Sequence, residues 1–231
     1  MQAKMRFMIQ MLTKAGQRML QAYDRISMHQ SAEERQLFAA KTALESEQII
    51  EELIKQQQQE ATATPHYGIC LASQTEQPTP ETPYFYVDCT QGLNNFARRS
   101  PAFCLVMAYL DQGKATHVLV YDLIKNELFS ATVGIGAFLN KLRVRGSKTN
   151  RAPWLYSGQQ GIAPLNSACF QRQDSGCLLL DLCYLLAGRL DMILLGSMPS
   201  NLQPIVNTLL LESSMRLKKH NSTLCAVSDN S

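Results

Sequence analysis

Tyr84-Phe85-Tyr86-Val87-Asp88-Cys89-Thr90-Gln91-Gly92-Leu93-Asn94-Asn95-Phe96 begins the stretch, running on to Asn140, that decides how this chain is read. Aromatic and β-branched residues lead into an aspartate, and a Thr-Gln-Gly turn follows, which is the composition of a strand meeting a tight turn. Phe103–Leu110, Thr116–Asp122, Glu127–Thr132 and Ala137–Leu139 repeat that character, with Asp111-Gln112-Gly113 and Gly134-Ile135-Gly136 as turns between them. Tyr84–Val87 and these four runs are predicted to form an antiparallel meander.

Upstream the period changes. Met5, Met8, Ile9, Leu12, Met19, Ala22, Tyr23 and Ile26 recur at helical spacing, so residues 3–27 are predicted as an amphipathic helix. Ser31 followed by Glu34 is a capping box that starts a second helix to about Gln57, with Ala40, Ala43, Leu44, Ile50, Leu53 and Ile54 as its apolar face. The polar run Gln56–Gln59 reads as its fraying end.

Downstream, Pro153, Gly158, Gly161 and Pro164 mark a loop-rich passage. Ser175 is placed to cap a helix over Gly176–Ala187 with Gly188 ending it, Leu190–Leu195 reads as a buried strand, and Pro204 suits the first turn of a last helix to Glu212.

Composition narrows the class. With 231 residues, 45% hydrophobic and 18% charged, the chain is an ordinary globular one, and a net charge of +3 does not by itself imply nucleic acid or an acidic membrane. Its seven cysteines are scattered, with no C-x-x-C pair, and read as buried free thiols of a reducing compartment. The apolar run Phe7-Met8-Ile9 breaks at Gln10, which is too short for a signal peptide, and no run reaches the ~18 residues of a membrane span. A cytoplasmic protein with no membrane partner is expected. The four histidines show no zinc-ligand spacing, and no G-x-S-x-G is present.

On these residues the chain resembles the inositol monophosphatase family. The family hallmark is a strand running into D-P-x-D-G-T-x-N-F, which stands here as Asp88 to Phe96. A second family segment, G-V-x-Y-D-P-x-x-x-E-L-F-x-A-x-x-G-x-G-A-F-x-N, matches Val118 to Asn140 almost position for position. Ser175 to Asp191 is similar to a third, G-S-A-A-L-D-L-C-x-V-A-A-G-R-x-D. The resemblance implies an α/β fold, the layered αβαβα sandwich. Residues 1–147 would form an N-terminal α+β half and 148–231 a C-terminal α/β half of one compact unit. Against the family the linker between Val144 and Gly176 is short, so a trimmed helix is expected there, and a shortened C-terminus is expected after Leu224-Cys225-Ala226, where members usually continue into a closing helix.

The family's reaction is phosphate-ester hydrolysis by water activated on Mg²⁺, which needs several carboxylates to offset the charge of clustered ions. Carried over position by position, its acids fall at Thr42, Leu71, Asp88, Gln91 and Leu202, so only Asp88 keeps its carboxylate. The motif threonine becomes Leu93 while Gly92 is kept, the tryptophan becomes Asn201, and a substrate-hydroxyl glutamate becomes Leu195. The substrate loop G-S-A reads Gly176-Cys177-Leu178. No cofactor is therefore expected, and the family reaction is expected to be lost. The alternative is an active Mg-dependent phosphomonoesterase acting on inositol phosphate or a related sugar phosphate.

Lys141, Arg143, Arg145, Lys148 and Arg151 put five bases into eleven residues, which reads first as a solvated loop face, with few aromatics interleaved, and otherwise as a candidate face for RNA or an acidic protein. The resemblance adds a partner class, since some bacterial members act in transcription antitermination with RNA polymerase factors and RNA. It also implies a homodimer, or a heterodimer with a paralogue.

Overall fold

The structure is a computed structural model, and it describes residues 3–60, 67–74, 82–146, 154–158, 170–195, 197–220 and 223–228. Helix α1 (Ala3–Arg25) buries Met5, Met8, Leu12, Ala15 and Met19, and a 3-10 turn at Ile26–Met28 leads toward α2 (Ala32–Glu60). The capping box is present in both directions: Glu34 N donates to Ser31 Oγ at 3.0 Å, and Ser31 N donates to Glu34 Oε2 at 3.3 Å.

Two details of α2 differ from expectation. The helix does not fray at the glutamines, because Gln58 Nε2 holds the Tyr67 carbonyl at 3.0 Å and Gln56 pairs with Glu60. Its buried face is Ala39, Thr42, Ala43, Ser46, Glu47, Ile50 and Ile54, while Ala40 and Leu44 point outward. The helix is thus rolled so that polar residues as well as apolar ones face the interior.

Seven strands form the first sheet in sequence order: β1 (Gly68–Leu71), β2 (Tyr84–Asp88), β3 (Cys104–Asp111), β4 (Lys114–Asp122), β5 (Glu127–Thr132), β6 (Gly136–Leu139) and β7 (Leu142–Val144). Only β1–β2 pair parallel; the meander from β2 onward is antiparallel. Strand alternation splits the side chains cleanly. Phe85, Val87, Leu105, Met107 and Leu119 join the core beneath α1 and α2. Tyr86, Val106, Val118, Val120 and Phe129 join a second core on the opposite face.

That second core is closed by α4 (Leu178–Leu186), α5 (Gln203–Glu212) and a second sheet. Its strands β8 (Trp154–Gly158), β9 (Phe170–Arg172), β10 (Met192–Leu195), β11 (Met215–His220) and β12 (Thr223–Ser228) run in the order β11-β12-β10-β8-β9. A short helix, α3 (Leu93–Ala97), follows the Asp88 turn. The result is the expected mixed α/β sandwich, whose described residues supply a helix pair, a sheet, a helix pair and a sheet. Trp154–Gly158, in the passage read as loops, is a strand, because it has both β9 and β10 as parallel partners. The seven-stranded sheet ends at Val144 and the second begins at Trp154; residues 147–153 between them lie outside the described residues.

Several contacts tie the halves together. Arg189 forks onto both carboxylate oxygens of Glu127 at 2.6 Å each, and Tyr184 donates to the buried Asp122 at 2.7 Å. Cys104 on β3 and Cys177 before α4, both buried, place their sulfurs 3.8 Å apart. All six cysteines that fall among the described residues are free thiols.

Candidate functional site

The site begins where β2 ends. Asp88 is 1% exposed, and the chain turns at once through Gly92 into α3. Gly92 holds a left-handed φ of 77°, and a Cβ there would lie 2.5 Å from the Ala102 carbonyl oxygen, so both conformation and space demand glycine. Gln91 O accepts from Cys104 N at 3.1 Å, which seats the turn on the start of β3. Asn95 then spans the halves, its Nδ2 donating to Ala102 O at 2.7 Å and to Ser175 O at 2.9 Å.

Both oxygens of Asp88 are met by protein donors. Thr90 N and Thr90 Oγ1 each donate to Oδ1 at 2.7 Å. Gln91 Nε2 donates to Oδ2 at 2.8 Å and the Tyr86 hydroxyl at 3.1 Å. A carboxylate offers about four lone-pair positions, and four donors occupy them. Asn201 Nδ2 in turn donates to the Tyr86 hydroxyl at 2.9 Å, carrying the network across to the residue before Leu202. Burial, with Asp88 beside it, pushes the Tyr86 phenol far up, which keeps it a proton donor.

The expected site positions divide between two faces of the sheet. Asp88 and Gln91 are in direct contact, and Asn201 joins them through Tyr86. Leu202 and Leu195 are buried in the inter-sheet core, and Cys177 packs in the same core beside Gly176, whose N–H donates to Asp174 Oδ1 at 2.9 Å. Leu71 instead packs with Val87 beneath the helices, on the face opposite Tyr86, and its neighbour Ala72 is the residue on the Tyr86 side. Thr42 is buried on α2 with its hydroxyl on the Phe38 carbonyl at 2.8 Å, and Leu93 packs against that same helix-side core.

One carboxylate was not anticipated. Glu47 is 0% exposed on the inner face of α2, where its Oε1 accepts from Cys89 N at 3.1 Å. Its Oε2 accepts from Ser73 N at 3.3 Å and from the Ser73 hydroxyl. Burial pushes this carboxyl up, against hydrogen bonds from Ser73 and Cys89, and the nearby Asp88 charge adds to the rise. Glu47 therefore pins α2 to the ends of β1 and β2. Its signal in the sequence is the row Ala39, Ala43, Glu47, Ile50, Ile54, in which one acid occupies an apolar helical stripe.

A second buried acid, Asp181 on α4, accepts from Ser157 Oγ at 2.6 Å and from Ser175 N at 3.2 Å. Burial pushes its carboxyl up to about 6, those hydrogen bonds opposing and Asp174 assisting.

Magnesium takes oxygen ligands in near-octahedral order. The donors around Asp88 fill the positions such an ion would need, and Thr42, Leu71, Gln91 and Leu202 supply no carboxylate. Among the described residues, no three His, Cys, Asp or Glu side chains gather as a metal-ligand set. The arrangement does not fit the ion.

Lys141, Arg143 and Arg145 are exposed along the edge strand β7 and its flanks, with the exposed Leu142 among them; Lys148 and Arg151 lie outside the described residues. Among the described residues no helix is long and apolar enough to cross a membrane.

A sequence model of the inositol monophosphatase family matches residues 1–201. The Nus factor SuhB of Xylella fastidiosa is 32% identical over 143 residues, covering 56% of this chain and 52% of that protein. The Nus factor SuhB of Escherichia coli K12 is 32% identical over 127 residues, covering 49% of this chain and 48% of its own length. The chain thus spans about half the length of the curated relatives it matches. Among solved structures, the extragenic suppressor protein suhB of Bartonella henselae superposes with a TM-score of 0.77 at 22% identity, covering 99% of this chain and 95% of that one. The IMPase of Thermotoga maritima gives 0.75 at 18% identity, covering 98% and 92%. These two establish the likeness of fold.

Proposed function

Since this chain belongs to the inositol monophosphatase family, we propose that it has given up magnesium-dependent ester hydrolysis and keeps the fold as a binding protein of a transcription complex. The observation that carries the first half is Asp88, the one retained acid, with all four acceptor positions taken by Thr90, Tyr86 and Gln91. Opening that carboxylate to an ion means breaking charge-assisted hydrogen bonds in a buried setting, each worth about 1.5–3 kcal/mol. The leucines at positions 71 and 202 contribute apolar burial in place of charge, at ~25 cal/mol per Å².

The partner half of the proposal rests on likeness to relatives named Nus factors and on the exposed bases Lys141, Arg143 and Arg145. An RNA or an acidic protein surface is the chemistry such a run suits. A dimer, with itself or with a paralogue, belongs to the same proposal.

The decisive experiment on catalysis measures phosphate release from inositol 1-phosphate and thermal melting, each across millimolar MgCl₂ with matched NaCl. No hydrolysis and no magnesium-specific rise in melting temperature are expected, because only a ligand of the native state raises stability as RT ln(1 + [L]/Kd). Magnesium-dependent hydrolysis abolished by Asp88→Asn would restore the alternative, an active phosphomonoesterase.

A further inference from the structure

The first turn of α1, the last turns of α2 and the β1–β2 edge enclose a cleft of ≈ 350 Å³ lined by Lys4, Phe7, Ile54, Gln57, Tyr67 and Phe85. We propose that this cleft binds a small planar aromatic carboxylate, with its ring among Phe7, Tyr67 and Phe85 and its carboxylate on the Lys4 ammonium.

The volume lies in the range of small-molecule sites, which are mostly apolar with a few placed polar groups. The walls are aromatic and mutually braced. Tyr67 and Phe85 meet edge to face at 5.4 Å, Phe7 and Phe85 at 6.2 Å, and Tyr67 and Tyr109 at 5.5 Å. Rings held in this way offer both faces and edges to a flat guest.

The polar group is the Lys4 ammonium. Lys4 Nζ sits 3.2 Å from the centre of the Tyr109 ring and 5.7 Å from that of Tyr67. Among the described residues no carboxylate lies within ion-pair distance of it, and Asp111 acts only from farther away. Burial lowers the pKa of this amine, so the charged form is under-solvated where it stands. A carboxylate brought into the cleft would relieve that deficit at low dielectric. The first turn of α1 carries no acidic side chain to compete. A single lysine suits a singly charged carboxylate; phosphate recognition favours a guanidinium fork or several donors.

The test uses indole-3-acetate and its neutral isostere indole-3-acetamide as probes, titrated into the full chain by calorimetry. The acid is expected to bind at least about tenfold more tightly than the amide. Lys4→Met should bring the acid down to the amide's affinity and leave the amide unchanged. Gln57→Trp, placed at the exposed rim, should weaken both with the melting temperature held. Equal affinities of acid and amide for the unaltered chain would overturn the proposal, and that comparison needs no variant to fold. So would unchanged affinity of the acid for Lys4→Met, or no saturable binding of either probe by about 10 mM.

Discussion

Gln91 Nε2 stands 2.8 Å from Asp88 Oδ2 and donates to it, so the residue standing where a second acid is expected closes off the first. The two side chains form an acid–amide pair held together by that hydrogen bond.

Gln91→Ala should therefore cost about 1–3 kcal/mol in urea unfolding, because a buried carboxylate loses one of its donors. Gln91→Asp should cost more at pH 7 than at pH 5. Two adjacent carboxylates raise each other's pKa, and protonating one relieves the repulsion. A Gln91→Asp protein as stable as the parent at pH 7 would mean that Asp88 is not enclosed as described.

Asp181 gives a pH signature of the opposite kind to an ordinary ion-paired acid. Its folded pKa is pushed up to about 6 from 3.8, so its stabilising contribution is complete below the unfolded value and is lost as pH rises through about 6. The loss should be on the order of 2–3 kcal/mol between about pH 4 and pH 7. Glu47, raised by its own burial, acts in the same direction. Subtracting the urea stability of Asp181→Asn from that of the parent should leave a difference that falls across this window; a flat difference would refute the assignment.

Gly92→Ala should be among the most damaging single-methyl changes in the chain, costing about 3 kcal/mol or more. The added Cβ would meet Ala102 O at 2.5 Å and Phe103 Cα at 2.8 Å on a backbone already at positive φ. Gly113 has nearly the same φ, 73°, with nothing within 4 Å, and Gly113→Ala should cost about 1 kcal/mol. Calorimetric melting of the two variants checks the contrast, which would be wrong if they melted alike.

Charge reversal at Arg143, Arg145 and Lys148 should weaken capture of the partner and the salt dependence of that capture, while moving stability by no more than about 0.5 kcal/mol. Recovery of the same partners at the same salt would leave the basic run as protection of a sheet edge, which charges on an edge strand also provide.

Local signals carried most of the first half. The bounds of β5 coincide with the predicted Glu127–Thr132, and the Ser31–Glu34 box is read from two residues three apart. Signals that depend on pairing with another segment were harder to see. β11 hides as a basic run, although Met215 and Leu217 alternate with exposed Arg216 and Lys218, because its six residues become a strand only against β12. The short β1 and β7 and the strand β8 were obscured in the same way.

The site divides likewise. That Asp88 stands alone as an acid in its motif was legible from the residues themselves. That Asn201 steadies the Tyr86 hydroxyl that closes it was not, since 115 residues separate Asn201 from Tyr86 and only tertiary packing brings them together. Glu47 is invisible to a helical periodicity taken from apolar residues alone.

The sulfurs of Cys104 and Cys177 sit across the boundary between β3 and α4, sealed from solvent, and burial raises the Cys104 thiol well above its ordinary pKa. A thiol in that state is inert to alkylation until its surroundings part. The rate at which a maleimide consumes these two cysteines would then keep time for the breathing of the sheet against the helix, a stopwatch built into the chain.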